Sequence, residues 1–212
     1  MKKPLPDPAA QPDLSAETDD VALLRRSMAG DEEAFDLLYA RRAGVVYQYA
    51  LRMSGSVALA EDVAQDVFIA LLRSGHKFDP ARGTLPQYLL GMTRNRVLTL
   101  LQRERNFVPL EVGDGEAGTA FLERAVTQDD PHLDLTRNER VEAVRQAILA
   151  LPLHYREVVV CCNLDELSYE QAAELIGCPV GTVRSRLNRA RALLLEKLQT
   201  NYQTAQRPAL VL

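Results

Sequence analysis

Residues 169–188 read YEQAAELIGCPVGTVRSRLN, and the way this stretch folds decides the organisation of the chain around it. Ser168 just ahead of it and Gln171 within it make a capping box, the reciprocal pairing that starts a helix. Ala173 is small where two helices must cross closely, and Gly177 supplies the left-handed backbone that a tight turn requires. Pro179 suits the start of the next helix, where its missing N–H has no consequence. The spacing predicts one helix ending near Gly177, a turn, and a second helix from Val180 to about Leu198. This is the layout of a helix-turn-helix.

At about 100° per residue, the second helix sorts its side chains into faces. Val180, Val183, Leu187, Ala190 and Leu194 fall on one stripe, which must face other helices. Ser185, Asn188 and Arg189 project from the opposite side, Arg184, Arg186 and Arg191 flank the stripe, and Thr182 lies near the helix start. In a helix-turn-helix the second helix enters the major groove with its N-terminal half against the base edges. Arginine reaches guanine through two hydrogen bonds, asparagine pairs with adenine, and serine or threonine serves bases or phosphates. Thr182, Arg184, Ser185, Arg186, Asn188, Arg189 and Arg191 are therefore the candidate contacts with duplex DNA. A solvated basic face on an ordinary helical hairpin would carry the same arginines, so this segment alone leaves both readings open.

The rest of the chain makes that basic face unusual. Its net charge is -4 and its pI near 5.5, which argues against a protein that coats nucleic acid nonspecifically but not against a local basic site. With 212 residues, 47% of them hydrophobic, it can bury one substantial core or two small ones. No apolar run is long enough to span a bilayer, and MKKPLPDPAAQPDLSAETDD lacks the apolar centre of a secretory signal. A soluble, cytoplasmic protein without membrane insertion is expected. Cys161, Cys162 and Cys178 are odd in number and have no metal-ligand spacing, and His76, His132 and His154 add no pattern. Reduced, mostly buried thiols are expected rather than a zinc or redox site. With no phosphate-binding glycine loop and no nucleophile–histidine arrangement, neither an enzyme nor a cofactor is expected.

Outward from the helix-turn-helix, the pattern stays helical. Val141, Val144, Ile148 and Leu151 recur at spacings of three and four before Pro152, and another helix is expected from His154 to Asn163. From Val21 to Asn106 the periodicity is helical almost throughout, broken only at Gly30, Gly55, Gly75 and FDPARGTLP (78–86). Between the two blocks, Glu111, Asp114, Glu116, Glu123, Asp129, Asp130 and Asp134 face only Arg124, the composition of a solvated linker. The expected architecture is all-α: a disordered lead-in (1–19), a helical domain (20–106), a flexible acidic linker (107–135), a second helical domain containing the helix-turn-helix (136–199) and an unstructured tail (200–212).

Taken together, these segments resemble a known family. LPLHYREVVVCCNLDELSYEQAAELIGCPVGTVRSRLNRARALLLEKL (151–198) resembles the promoter-binding C-terminal domain of the extracytoplasmic-function sigma factors, a subfamily of the bacterial sigma-70 family. GDEEAFDLLYARRAGVVYQYALRMSG (30–55), AEDVAQDVFIALLR (60–73) and FDPARGTLPQYLLGMTRNRVLTLLQRERN (78–106) are similar to that family's N-terminal domain. The two matches stand in the right order, which is far more specific than either alone.

The resemblance implies a dissociable, non-catalytic subunit of RNA polymerase that directs promoter recognition and melting for a restricted set of genes. It implies core polymerase as a partner, docked through the clamp helices of its beta-prime subunit on residues 60–73. Glu61, Asp62, Gln65, Asp66, Phe68 and Ile69 are the docking candidates. Apolar Phe68, Ile69 and Leu72 opposite the stripe of Val63, Val67, Ala70 and Leu71 agree with a second surface to cover. Leu72 departs from the aromatic that relatives often carry there. Promoter DNA is the second implied partner: its minus-thirty-five element as duplex on the helix-turn-helix, its melted minus-ten element on Arg82, Tyr88, Arg94, Asn95 and Arg96. Arg103 and Arg105 extend that cationic run, as a single strand requires. The loop from Arg82 to Gln87 would line a pocket for an extruded base, and Tyr88, standing for a frequent tryptophan, reads mainly as packing. An anti-sigma factor is the third implied partner. The competing reading is a one-component helix-turn-helix regulator with an N-terminal sensing domain; it accounts for the arginines but not for AEDVAQDVF.

Overall fold

The computed structural model describes residues 14–107 and 137–205, which fall into two compact units divided at Val108–Pro109. The expected acidic linker, apart from Phe107, lies outside the described residues, as do 1–13 and 206–212. Every regular element among the described residues is helical, as the periodicity predicts.

The N-terminal unit holds α1 (Leu14–Met28), α2 (Glu32–Ser54), α3 (Val57–Ser74), a 3₁₀ turn (Gly75–Lys77) and α4 (Leu85–Phe107). Helix α2 is central and packs on α1, α3 and α4. Its Leu38, Val46, Tyr49 and Met53 are fully enclosed and meet Val63 and Leu71 of α3 and Leu85, Leu89 and Val97 of α4 in one core. Each large apolar side chain removed from water contributes about 1.5–3 kcal/mol to holding the helices together.

The caps are local. The Asp31 carboxylate accepts a hydrogen bond from the Ala34 N–H at 3.0 Å, and Ser56 Oγ accepts one from the Leu59 N–H at 3.2 Å. That bond, together with Arg26, holds the Asp31 carboxyl below its ordinary range. At Gly75 a Cβ would stand 3.0 Å from the Met28 sulfur and 3.2 Å from Leu24 Cδ1, so those side chains would have to give way by a few tenths of an ångström.

Helix α1 begins at Leu14, inside the segment expected as the lead-in. Leu23, Leu24 and Ser27 are buried, and Asp20, fully enclosed, pairs with Arg42 of α2. Once these contacts fix the helix, extending it backward through Ala16 and Glu17 costs little.

The C-terminal unit holds α5 (Arg137–Leu149), α6 (Leu153–Val159), a π-helical turn (Val160–Leu164), α7 (Tyr169–Ile176) and α8 (Val180–Ala205). The helix expected from His154 to Asn163 changes pitch midway: Asp165 N–H donates to the Val160 carbonyl at 2.9 Å, five residues back. Helix α8 packs on α5, α6 and α7 and outlasts its expected end near Leu198, since neither glycine nor proline intervenes before Pro208. Arg156 donates to the carbonyls of Leu149 and Leu151, closing the end of α5, and burial pushes its guanidinium down to about 10. Ile148 in α5 and Leu151 just beyond its end are buried as the spacing predicts, whereas Val141 and Val144 are exposed.

Candidate functional site

The helix-turn-helix is built as its sequence dictates. Ser168 Oγ accepts from the Gln171 N–H at 3.1 Å while Gln171 Oε1 accepts from the Ser168 N–H at 2.8 Å, so the capping box is complete. Gly177 takes φ +76°, and its N–H and that of Cys178 donate to the Ala173 carbonyl at 2.9 and 3.0 Å. The chain therefore turns sharply into α8. Pro179 is the residue before that helix; its carbonyl accepts from the N–H groups of Thr182 and Val183.

On α8, Val183, Leu187 and Ala190 are buried, Val180 and Leu194 half-buried. Arg184, Ser185, Asn188, Arg189 and Arg191 are exposed on one continuous surface, Thr182 is half-buried at its start, and Ser185 Oγ donates to the Thr182 carbonyl at 3.0 Å. Arg186 is half-buried instead, on the side of α6. Partial burial and the nearby Arg186 charge hold the His154 imidazole below its ordinary value, only partly offset by Glu157. Arg184 also has a partner that sequence reading missed: its guanidinium carbon lies 5.6 Å from the ring centroid of Tyr169.

In the N-terminal unit, Asp62, Gln65 and Ile69 are exposed on α3, and Glu61 and Asp66 are half-buried. Phe68 requires a correction. It is 2% exposed, with its ring edge-on to Tyr39 (centroids 4.8 Å apart) and to Phe35 (6.3 Å), so it packs in the core rather than on the exposed face of α3. Helix α2 lays those two aromatics over the part of α3 that a single-helix projection leaves outside.

Asn95 is exposed on α4 and Arg94 half-buried; Arg103 is exposed, and the Arg105 side chain lies outside the described residues. Arg96 is not an isolated cation, because its Nε donates to the Asp66 carboxylate at 2.8 Å. One residue assigned to melted DNA is thus paired with one assigned to polymerase. Asp66, Ile69, Asn95 and Arg96 line a single open groove of about 670 Å³ between α3 and α4. Arg82 and Tyr88 are not among its lining residues. Arg82 is exposed in the preceding loop, and Tyr88 packs on Phe78 with centroids 5.4 Å apart, in keeping with its reading as packing.

Residues 38–107 match Sigma-70 region 2, and residues 141–194 match Sigma-70, region 4. ECF RNA polymerase sigma factor SigE of Mycolicibacterium smegmatis is 34% identical over 182 residues, spanning 84% of this chain and 68% of that protein. The chain belongs to the ECF RNA polymerase sigma factors. SigW of Bacillus subtilis, named as another such sigma factor, is 29% identical over 178 residues, or 83% of this chain and 95% of that one. Among solved structures, the sigma factor RpoE of Bartonella quintana, crystallised with the anti-sigma factor NepR, superposes with a TM-score of 0.58. It is 21% identical and covers 78% of this chain and 96% of its own, a likeness that speaks for the fold.

In this sigma factor, the groove between α3 and α4 also draws in Arg73, Met92 and Thr99, which sequence reading passed over. The signal was present in the spacing. Asp66, Ile69 and Arg73, like Met92, Asn95 and Thr99, recur three and four residues apart and so share a helix face. None of the three cysteines is in a disulfide: Cys161 is buried and Cys162 and Cys178 half-buried, and burial pushes the Cys162 thiol up against the opposing pull of Arg191. Among the described residues, no group of three metal-ligating side chains comes together, and no helix is long and apolar enough to cross a membrane.

Proposed function

We propose that α8 of this sigma factor reads the minus-thirty-five element as duplex, while the N-terminal unit docks on core polymerase through α3 and holds the melted minus-ten strand along α4. The observation that carries this reading is the uninterrupted exposed surface of Arg184, Ser185, Asn188, Arg189 and Arg191 opposite a buried apolar stripe. It leaves donors of the right type in front of the base edges while the stripe fixes the helix. On the other unit, Asp62, Gln65 and Ile69 offer a mixed apolar and acidic face suited to a docked helix, and Asn95 opens into a groove able to take an unstacked base. Arg82, Arg94 and Arg96 supply cations along the same strand, and Tyr88 acts through packing. Glu61 and Asp66 complete the docking face.

Arg189→Ala should cost about 1–3 kcal/mol at the upstream element and relax base preference there. Arg191→Ala should weaken binding nearly uniformly across sequences. Competition gel-shifts with the holoenzyme separate the two profiles, and identical profiles contradict the division into base reader and backbone contact. Multiple-round transcription with purified core polymerase separates this function from that of a one-component regulator, which would need another sigma factor for initiation.

The catalytic step belongs to polymerase in this reading, and the protein works in the cytoplasm. An anti-sigma factor, the class of partner named for the Bartonella structure, would hold it inactive by covering the same surfaces.

A further inference from the structure

We propose that Tyr169 is the positioning residue for Arg184, holding the guanidinium in the orientation that reads the upstream element; this rests on the promoter-reading role of α8 proposed above. Tyr169 is the first residue of α7 and is itself held firmly, because the Ser168–Gln171 capping box fixes the backbone on which it stands. Its ring lies half-buried beneath Arg184, whose guanidinium carbon is 5.6 Å from the ring centroid, within the range of a cation–π attraction.

The choice of an aromatic partner has a chemical consequence. A carboxylate would also restrain an arginine, but it would occupy the N–H groups that must meet DNA. An aromatic ring attracts the cation electrostatically, so all five N–H donors stay available for two parallel bonds to guanine or to a phosphate. Tyr169 thus restricts the rotamers of an exposed side chain before DNA arrives without using up its donors. Less conformational freedom is then lost on binding.

An exposed cation–π contact corresponds to about a 2- to 5-fold change in affinity. Holoenzyme carrying Tyr169→Leu should therefore bind the upstream element 2- to 5-fold more weakly, with Tyr169→Phe and Tyr169→Trp close to wild type. In an Arg184→Ala background, Tyr169→Leu should have no further effect, and melting temperatures of the variants establish that they are folded. If Tyr169→Phe loses as much as Tyr169→Leu, the hydroxyl is the contact and the proposal is overturned. An equal loss with and without Arg184 overturns it too, since the role is then merely structural.

A second measurement stands apart from DNA. In the free full-length protein, the Arg184 side-chain protons should show an upfield ring-current shift by NMR in wild type and Tyr169→Phe that disappears in Tyr169→Leu. Absence of that shift in wild type sinks the positioning role. Its presence, with Arg184→Ala leaving promoter binding unchanged, sinks the promoter-reading role on which the positioning depends.

Discussion

Asp20 is fully enclosed and the Arg42 side chain 9% exposed, so their ion pair joins α1 to α2 with little help from water. Removing one partner leaves the other charge buried and uncompensated, so Asp20→Ala should cost the N-terminal unit about 3–5 kcal/mol in urea unfolding. His154 provides a pH-dependent counterpart. The folded state holds its pKa below the ordinary value through partial burial first and Arg186 second, so the unfolded chain binds its proton more readily. Stability should therefore rise with pH through the window between the folded and ordinary histidine values, and fall as the protein is acidified across it. Arg186→Gln should raise the His154 pKa in an NMR titration; an unchanged midpoint would assign the depression to burial alone.

Among the elements, the turn between α7 and α8 depends on backbone conformation more than on space. A Cβ at Gly177 would meet nothing within 4 Å, but φ there is +76°. Gly177→Ala should thus cost about 1 kcal/mol through strain alone, and Gly177→Asn less, as read from thermal melts of the C-terminal unit. Between α3 and α4, the Asp66–Arg96 pair is some 40% exposed on each side. A double-mutant cycle of Asp66→Asn with Arg96→Gln should return a coupling of only about 0.2–1 kcal/mol, so the apolar core, not this pair, holds the two helices together. The Ser168–Gln171 capping box, the turn glycine and the buried stripe of α8 were legible in the sequence because each depends on residues a few positions apart. Phe68 was not, since its burial depends on Phe35 and Tyr39, which lie 33 and 29 positions away.

For the whole molecule, a net charge of -4 beside a concentrated cationic face suits a subunit that should find promoters only on polymerase. Phosphate contacts supply most nonspecific affinity, so confining the cations limits stray binding. Joining two weak DNA-reading modules through polymerase raises their effective concentration. Promoter fragments should accordingly shift with holoenzyme and scarcely with the free protein at moderate salt. Equal affinity in the two gel-shifts would contradict this. Arg191→Ala should also flatten the slope of log K against log salt by about 0.9, the loss of one phosphate contact.

What the sequence determined by itself was local and periodic: helices, the Ser168–Gln171 cap, the turn at Gly177, the face on which the arginines stand, and through these the family. The tertiary structure decided which side chains are shared between elements. It placed Phe68 in the core, paired Asp66 with Arg96, enclosed Asp20 against Arg42 and set Tyr169 under Arg184. The division follows from the range of the forces. A cap or a helical stripe is satisfied within one or two turns of its own residues, whereas a packed ring or ion pair depends on where a second helix crosses, and that is set by the core as a whole.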